Sequence, residues 1–132
     1  MHGFNGNIEQ RTTANTDFRR VAYTGHHLQL VLMSLPPNGE IGLETHHDND
    51  QFFRFEAGQG KVVIDDNEYD VTDGSAIVVP SGARHNVINT SSTEPLQLYT
   101  IYAPSHHKDG LVRHTREEAD AQPEDFDGAA TE

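Results

Sequence analysis

G-S-A-I-V-V-P-S-G-A-R-H-N-V-I-N, residues Gly74 to Asn89, decides how this chain is to be read. Gly74, Pro80, Gly82, His85 and Asn89 stand at the spacing G-x5-P-x-G-x2-H-x3-N. Pro80 has no N–H to give a ladder and so ends a strand, and Gly82 supplies backbone freedom for the turn that follows. His85 then opens a new strand, where an imidazole can be aimed inward.

The same alternation of short strand and turn runs outward in both directions. Strands are predicted at 18–23, 27–35, 40–46, 51–57, 61–65, 68–71, 76–79, 85–90 and 96–103. P-P-N-G, G-Q-G, D-D-N, T-D-G-S, P-S-G and S-S-T-E-P separate them. These residues accept positive φ, fix φ, or hydrogen-bond to their own backbone. Many short strands so spaced indicate an all-β sandwich or barrel, and a jelly roll closes them into two sheets around a cavity. Residues 1–17 are polar and unpatterned and read as a flexible arm; 18–114 form the barrel. In 115–132, Thr115 stands three residues before Glu118 as in a capping box. That predicts a short helix over 116–122, followed by a disordered acidic tail.

The Gly74–Asn89 spacing resembles the second motif of the cupin superfamily at all five fixed positions. The resemblance covers about Glu40 to Ala103. It points to the small single-domain cupins of the mannose-6-phosphate-isomerase-like, cupin-2 group. It implies a double-stranded β-helix barrel, one bound divalent metal and a homodimer.

The first cupin motif, G-x5-H-x-H-x3-4-E-x6-G, maps onto the region ending at Gly58. Gln51 then takes the glutamate position, His46 that of the second histidine and Glu44 that of the first. The implied metal ligands are Glu44, His46, Gln51 and His85. The motif's leading glycine falls on Asn38. Glu44 and His46, two apart on a strand, share a face. Gln51 shares a face with Phe53 and Phe55. A rival register pairs His47 with Gln51, but it places Thr45, a poor ligand, at the first position. Asp50 is the second-choice oxygen ligand.

Two imidazoles, a carboxylate and an amide suit Fe, Mn, Ni, Co or Zn without selecting among them. Phe53, Phe55, Val78, Val87, Leu98 and Tyr102 are the expected pocket wall by parity. Tyr102 is the candidate catalytic residue, since a phenol near a metal can donate a proton or hold a substrate oxygen. Arg84 is a candidate for the rim. His26, His27, His106, His107 and His114 read as surface histidines, although the 106–107 pair could sit over the pocket mouth.

The 132 residues suit one domain. With 21 acidic residues against 9 Lys plus Arg, the formal charge is −12. A phosphate backbone is repelled by such a surface, so no nucleic-acid partner is expected. No cysteine is present, which excludes disulfides and thiolate metal sites. No signal peptide is read at the N-terminus, and the apolar run Leu28–Leu35 is too short to cross a bilayer. A cytoplasmic location and no membrane partner are therefore expected.

The resulting functional expectation is a metal-dependent enzyme acting on a small oxygenated molecule. Dioxygenase-like chemistry ranks first and isomerase or lyase chemistry second. A phosphosugar substrate is disfavoured, because Arg54, Lys61 and Arg84 are scattered rather than clustered. The alternative is a non-catalytic metal- or ligand-binding sensor module.

Overall fold

The computed structural model describes residues 1–132. Two antiparallel sheets face one another. Their strands are β1 (Arg19–Thr24), β2 (Gln29–Leu35), β3 (Glu44–Thr45), β4 (Asp50–Ala57), β5 (Gln59–Ile64), β6 (Asn67–Thr72), β7 (Ala76–Val79), β8 (Arg84–Asn89), β9 (Leu96–Ala103) and β10 (Val112–Arg113). The larger sheet runs β10-β1-β2-β9-β4-β7 and the smaller β3-β8-β5-β6. This is the all-β jelly-roll barrel that the turn spacing predicts, with helix α2 (Arg116–Ala121) near the C-terminus.

Alternation along the strands places the core. Val31, Met33 and Leu35 of β2, Phe53 and Phe55 of β4, and Leu96 and Leu98 of β9 point between the sheets and are at most 1% exposed. β2 is buried at every position, so its outer face is covered too. The cover comes from residues 1–17, where the structure departs from the expected loose arm. Helix α1 (Ile8–Ala14) forms there and packs on β2, β4 and β9. Asn7 caps it by accepting from Gln10 N, and Gln97 donates to Thr13 O in its last turn and to O of the C-cap Asn15.

The acidic tail is also placed rather than loose. Phe126 N donates to His106 O at 2.9 Å, and Thr131 exchanges hydrogen bonds with the Thr24 backbone at 2.8 Å each. Tyr23 Oη donates to Glu132 Oε2 at 2.7 Å. No helix is long and apolar enough to cross a membrane.

The 40–46 strand shortens to β3. Gly42 takes φ +109°, which breaks the ladder, and its N–H donates to the Asn86 side chain instead. Asn38, standing where the first motif has glycine, adopts φ +62°. Asparagine tolerates that left-handed region, so the turn survives the replacement. Gly58 has no such substitute. A Cβ there would lie 2.4 Å from Pro95 O.

Asn89, the last motif position, is 1% exposed and joins three segments. Its amide donates to Leu35 O, Pro36 O and Glu94 O, and its oxygen accepts from Ser91 N.

The capping box at α2 forms in modified shape. Thr115 Oγ1 accepts from Glu118 N at 3.1 Å, while Glu118 Oε2 accepts from His114 N rather than from Thr115 N. Thr115→Ala is expected to lower stability by about 1 kcal/mol, measured by urea unfolding.

Candidate metal centre

β3 and β8 set the first two candidate ligands. Glu44 pairs directly with His85 across that ladder, and directly opposed residues in an antiparallel pair project to the same side. His46 lies just beyond the end of β3. Its carbonyl accepts from Gly82 N at 2.8 Å. In the same turn, Ser81 N donates to Asp50 Oδ1 at 2.9 Å and Ser81 Oγ donates to His47 O. The P-S-G turn thus fixes the loop that carries His46 as well as the approach to His85.

One ligand atom each from Glu44, His46 and His85 lie within 4.8 Å of one another. His46 Nε2 stands 3.1 Å from Glu44 Oε2, and the His46 and His85 rings are 5.3 Å apart.

Gln51 comes from the other sheet, between Tyr102 on β9 and Val79 on β7. It is 3% exposed, and its Nε2 donates to Thr100 Oγ1 at 3.0 Å. That bond assigns the amide and leaves Oε1 buried with no hydrogen-bond partner. His85 is held in the same way. Its Nδ1 donates to Ala83 O at 3.0 Å, which leaves the lone pair on Nε2, also buried and without a partner. A buried polar atom left unpaired costs about 1–3 kcal/mol. Two such atoms on the barrel interior, each oriented by a second hydrogen bond, are the arrangement that metal ligands require. The residues present therefore fit a divalent cation.

The electrostatics agree. Burial works to raise the Glu44 carboxyl, but the hydrogen bond and charge of His46, with Arg19 and His85, outweigh it and hold its pKa below the ordinary value. Burial, reinforced by the charge of His46 and opposed by the bond to Ala83 O, holds the His85 pKa below that of a free imidazole. Both groups are thus kept in the ligating form, carboxylate and neutral imidazole.

His47, on which the rival register depends, is exposed, and Asp50, the second-choice oxygen ligand, accepts from Ser81 N instead. Arg54 faces away, 3.3 Å from Glu56, and Arg84 is exposed. Val78 departs from its expected place in the pocket wall and is 64% exposed. Val79 pairs with Gln51, so Val78, opposite Phe52, takes the outer face. Phe53, Phe55, Val87, Leu98 and Tyr102 are buried.

Tyr102 is 1% exposed and its hydroxyl lies 3.2 Å from His107 Nε2. Burial raises its pKa, so it remains a phenol.

His106 and His107 do not behave as surface histidines. The His106 ring lies 4.4 Å from that of His46 and stacks on Tyr102 at 5.2 Å. Burial, then the charge of His46, lowers its pKa. His107 is 8% exposed, and burial, with Arg19, His106 and His46, drives its pKa down to about 2. Both are positioned by Gln29, a fully buried β2 residue. Its Oε1 accepts from the backbone N–H of His106 and His107, and its Nε2 donates to His107 O. The sequence signal for these residues was thin: the doubled histidine and its nearness to Tyr102.

A cavity of about 260 Å³ opens at this end of the barrel, lined by Glu44, His106, His107, Arg19 and the stretch after α2. The larger cleft of about 720 Å³, between the Pro36–Glu40 turn and the start of α2, includes none of the ligand residues.

A jelly roll with a Glu/His/His cluster that could hold a metal inside one end is a cupin architecture. Residues 31–102 match the cupin domain family, and the chain belongs to it. It is 47% identical over 119 residues to YrkC of Bacillus subtilis (strain 168), covering 86% of this chain and 63% of that protein. It is 43% identical over 109 residues to L612 of Acanthamoeba polyphaga mimivirus, covering 80% of this chain and 68% of that protein. The chain thus spans about two thirds of the length of these relatives. The crystal structure of BH2720 from Bacillus halodurans superposes with a TM-score of 0.89 at 43% identity, covering 92% of this chain and 96% of that one.

Proposed function

We propose that this protein is a metal-dependent enzyme acting on a small oxygenated molecule, with dioxygenase-like chemistry first and isomerase or lyase chemistry second. The observation that carries this reading is the pair of buried, unpartnered atoms, Gln51 Oε1 and His85 Nε2, in a barrel where one candidate ligand, Glu44, lines a cavity. A closed structural site would have no use for such an opening.

Glu44, His46, Gln51 and His85 would hold the cation. With one carboxylate among four ligands, a divalent ion keeps about one net positive charge and supplies Lewis-acid polarisation of a ligand oxygen. The protein's own residues do the rest. Phe53, whose ring lies 6.3 Å from that of His85, separates the site from the core, which excludes water and strengthens the electrostatics inside it. His106 borders the cavity and is held neutral by burial, so its ring can accept or relay a proton there. Tyr102 donates to neutral His107 and holds that ring in place. Gln51 offers only a neutral oxygen, so no carboxylate base is available at that ligand position.

The test loads the protein with Fe(II), Mn(II) or Co(II) in turn. Oxygen uptake is followed with catechols, diketones and thiols, and proton exchange next to a carbonyl by NMR. Turnover that needs both the metal and His106 is the expected result. Tight metal binding with no turnover of any class would favour the sensor module instead.

A further inference from the structure

Arg19 is a charged side chain at this site for which the fold supplies no hydrogen-bond or ion-pair partner. It sits near the start of β1, paired across the ladder with Arg113. It points inward as Val21 does, and it is 9% exposed. Its neighbour Arg20 points outward and pairs with Asp17 at 2.8 Å. The Arg19 side chain makes no hydrogen bond and no ion pair, and its Nε is buried without a partner. Its only partner group is the Phe18 ring, 5.2 Å from the guanidinium carbon. A buried guanidinium carries a desolvation cost unless something compensates it. Its charge acts on Glu44, yet the two form no ion pair.

Arg19 lines the 260 Å³ cavity together with Glu44, His106 and His107. Its charge reaches Glu44, Tyr102, His106 and His107 alike. It therefore stands beside the ligand cluster, on the cavity side. The other cations nearby are committed elsewhere. Arg113 gives two N–H groups to Gln122 O, and Lys108 lies 3.7 Å from Glu124. Of the acidic residues around the opening, Asp120 lies 3.5 Å from Arg116 and Glu124 3.7 Å from Lys108, which leaves Asp125.

We propose that Arg19 receives the anionic end of the ligand, and that the molecule taken at this site is a small carboxylate presenting a second oxygen toward the metal ligands. This rests on the metal reading for the second oxygen but not for the first. One guanidinium matches one carboxylate with two parallel N–H···O bonds. A phosphate dianion would want further cations, and the neighbouring Arg113 and Lys108 are already committed to Gln122 and Glu124.

The test uses pyruvate and its neutral analogue pyruvamide as probes. Isothermal calorimetry is run on Co(II)-loaded and on chelator-treated protein. In both forms the wild type is expected to bind pyruvate at least about tenfold more tightly than pyruvamide, the size of one charge-assisted contact. Arg19→Met is expected to abolish that preference while leaving Co(II) content at the wild-type level. Arg19→Gln serves where the methionine variant fails to fold by circular dichroism. Equal binding of the two probes by the wild type would overturn the proposal, as would a preference that survives either variant. Failure of the wild type to take up Co(II) would sink the metal reading alone, because the chelator-treated arm still decides Arg19. Phosphate binding more tightly than pyruvate would also overturn it.

Discussion

Protein carrying His85→Ala is expected to emerge from purification without added metal nearly empty, where the wild type carries about one divalent ion per chain. His85 is the candidate ligand with the best-prepared geometry. Its Nδ1–H is spent on Ala83 O, its Nε2 lone pair is buried with no partner, and burial keeps the ring neutral. Loss of an outer-shell partner alone lowers metal affinity by about 10–100-fold. Loss of the ligand itself should exceed that, so occupancy in the variant should fall below about a tenth. His47→Ala is the matched control. His47 is exposed and adjacent to a proposed ligand, so it should retain full metal. Elemental analysis of the three proteins decides the matter. Equal occupancy in wild type and His85→Ala removes His85 from the centre, and loss of metal in His47→Ala reverses the choice of register.

The parts of this centre that were legible in the sequence are those fixed by local chain geometry. The G-x5-P-x-G-x2-H spacing encodes a strand end, a turn and a strand start, and β7, the turn and β8 form where it places them. Parity put Gln51, Phe53 and Phe55 on one face because β4 is regular there. Parity misplaced Val78 because strand phase relative to the core is set by pairing, and β7 pairs Val79 with Gln51. The residues missed were brought in by distant contacts. His106 and His107 follow Pro104 in a segment with no periodicity, and the side chain that seats them is Gln29, 78 positions from His107. Helix α1 has a single strongly apolar residue, Ile8, and is anchored by Gln97 from β9. Arg19 did carry a signal, two positions from Val21 on a predicted strand. A buried arginine contradicts the usual inside rule, and such contradictions mark sites where stability has yielded to function.

Acid should unfold the metal-free protein at pH values where ordinary carboxylates are still charged. Three histidines near the site, His85, His106 and His107, have pKa values below the free imidazole value, and burial is the largest cause in each. For His107 the folded value is about 2. Once unfolded, each ring regains its ordinary affinity for a proton. As pH falls below about 6.5, the unfolded chain therefore binds protons that the folded chain refuses, and stability is lost with each further step into acid. His107 alone accounts for a loss of about 2 kcal/mol between about pH 7.5 and about pH 5. His85 and His106 act in the same direction. Around His107 the charges are Arg19, His106 and His46, all of which oppose its protonation. His114 acts in the opposite sense, because its bond to Asp17 raises its pKa, but it is exposed to solvent and its contribution is screened. Urea unfolding of chelator-treated protein across that pH range measures the slope. His107→Gln keeps a side-chain amide for Tyr102 and has no proton to take up, so its stability should fall less steeply, by about one proton's worth of slope. A variant as acid-sensitive as the wild type would show that His107 is already protonated, or already solvated, in the folded barrel.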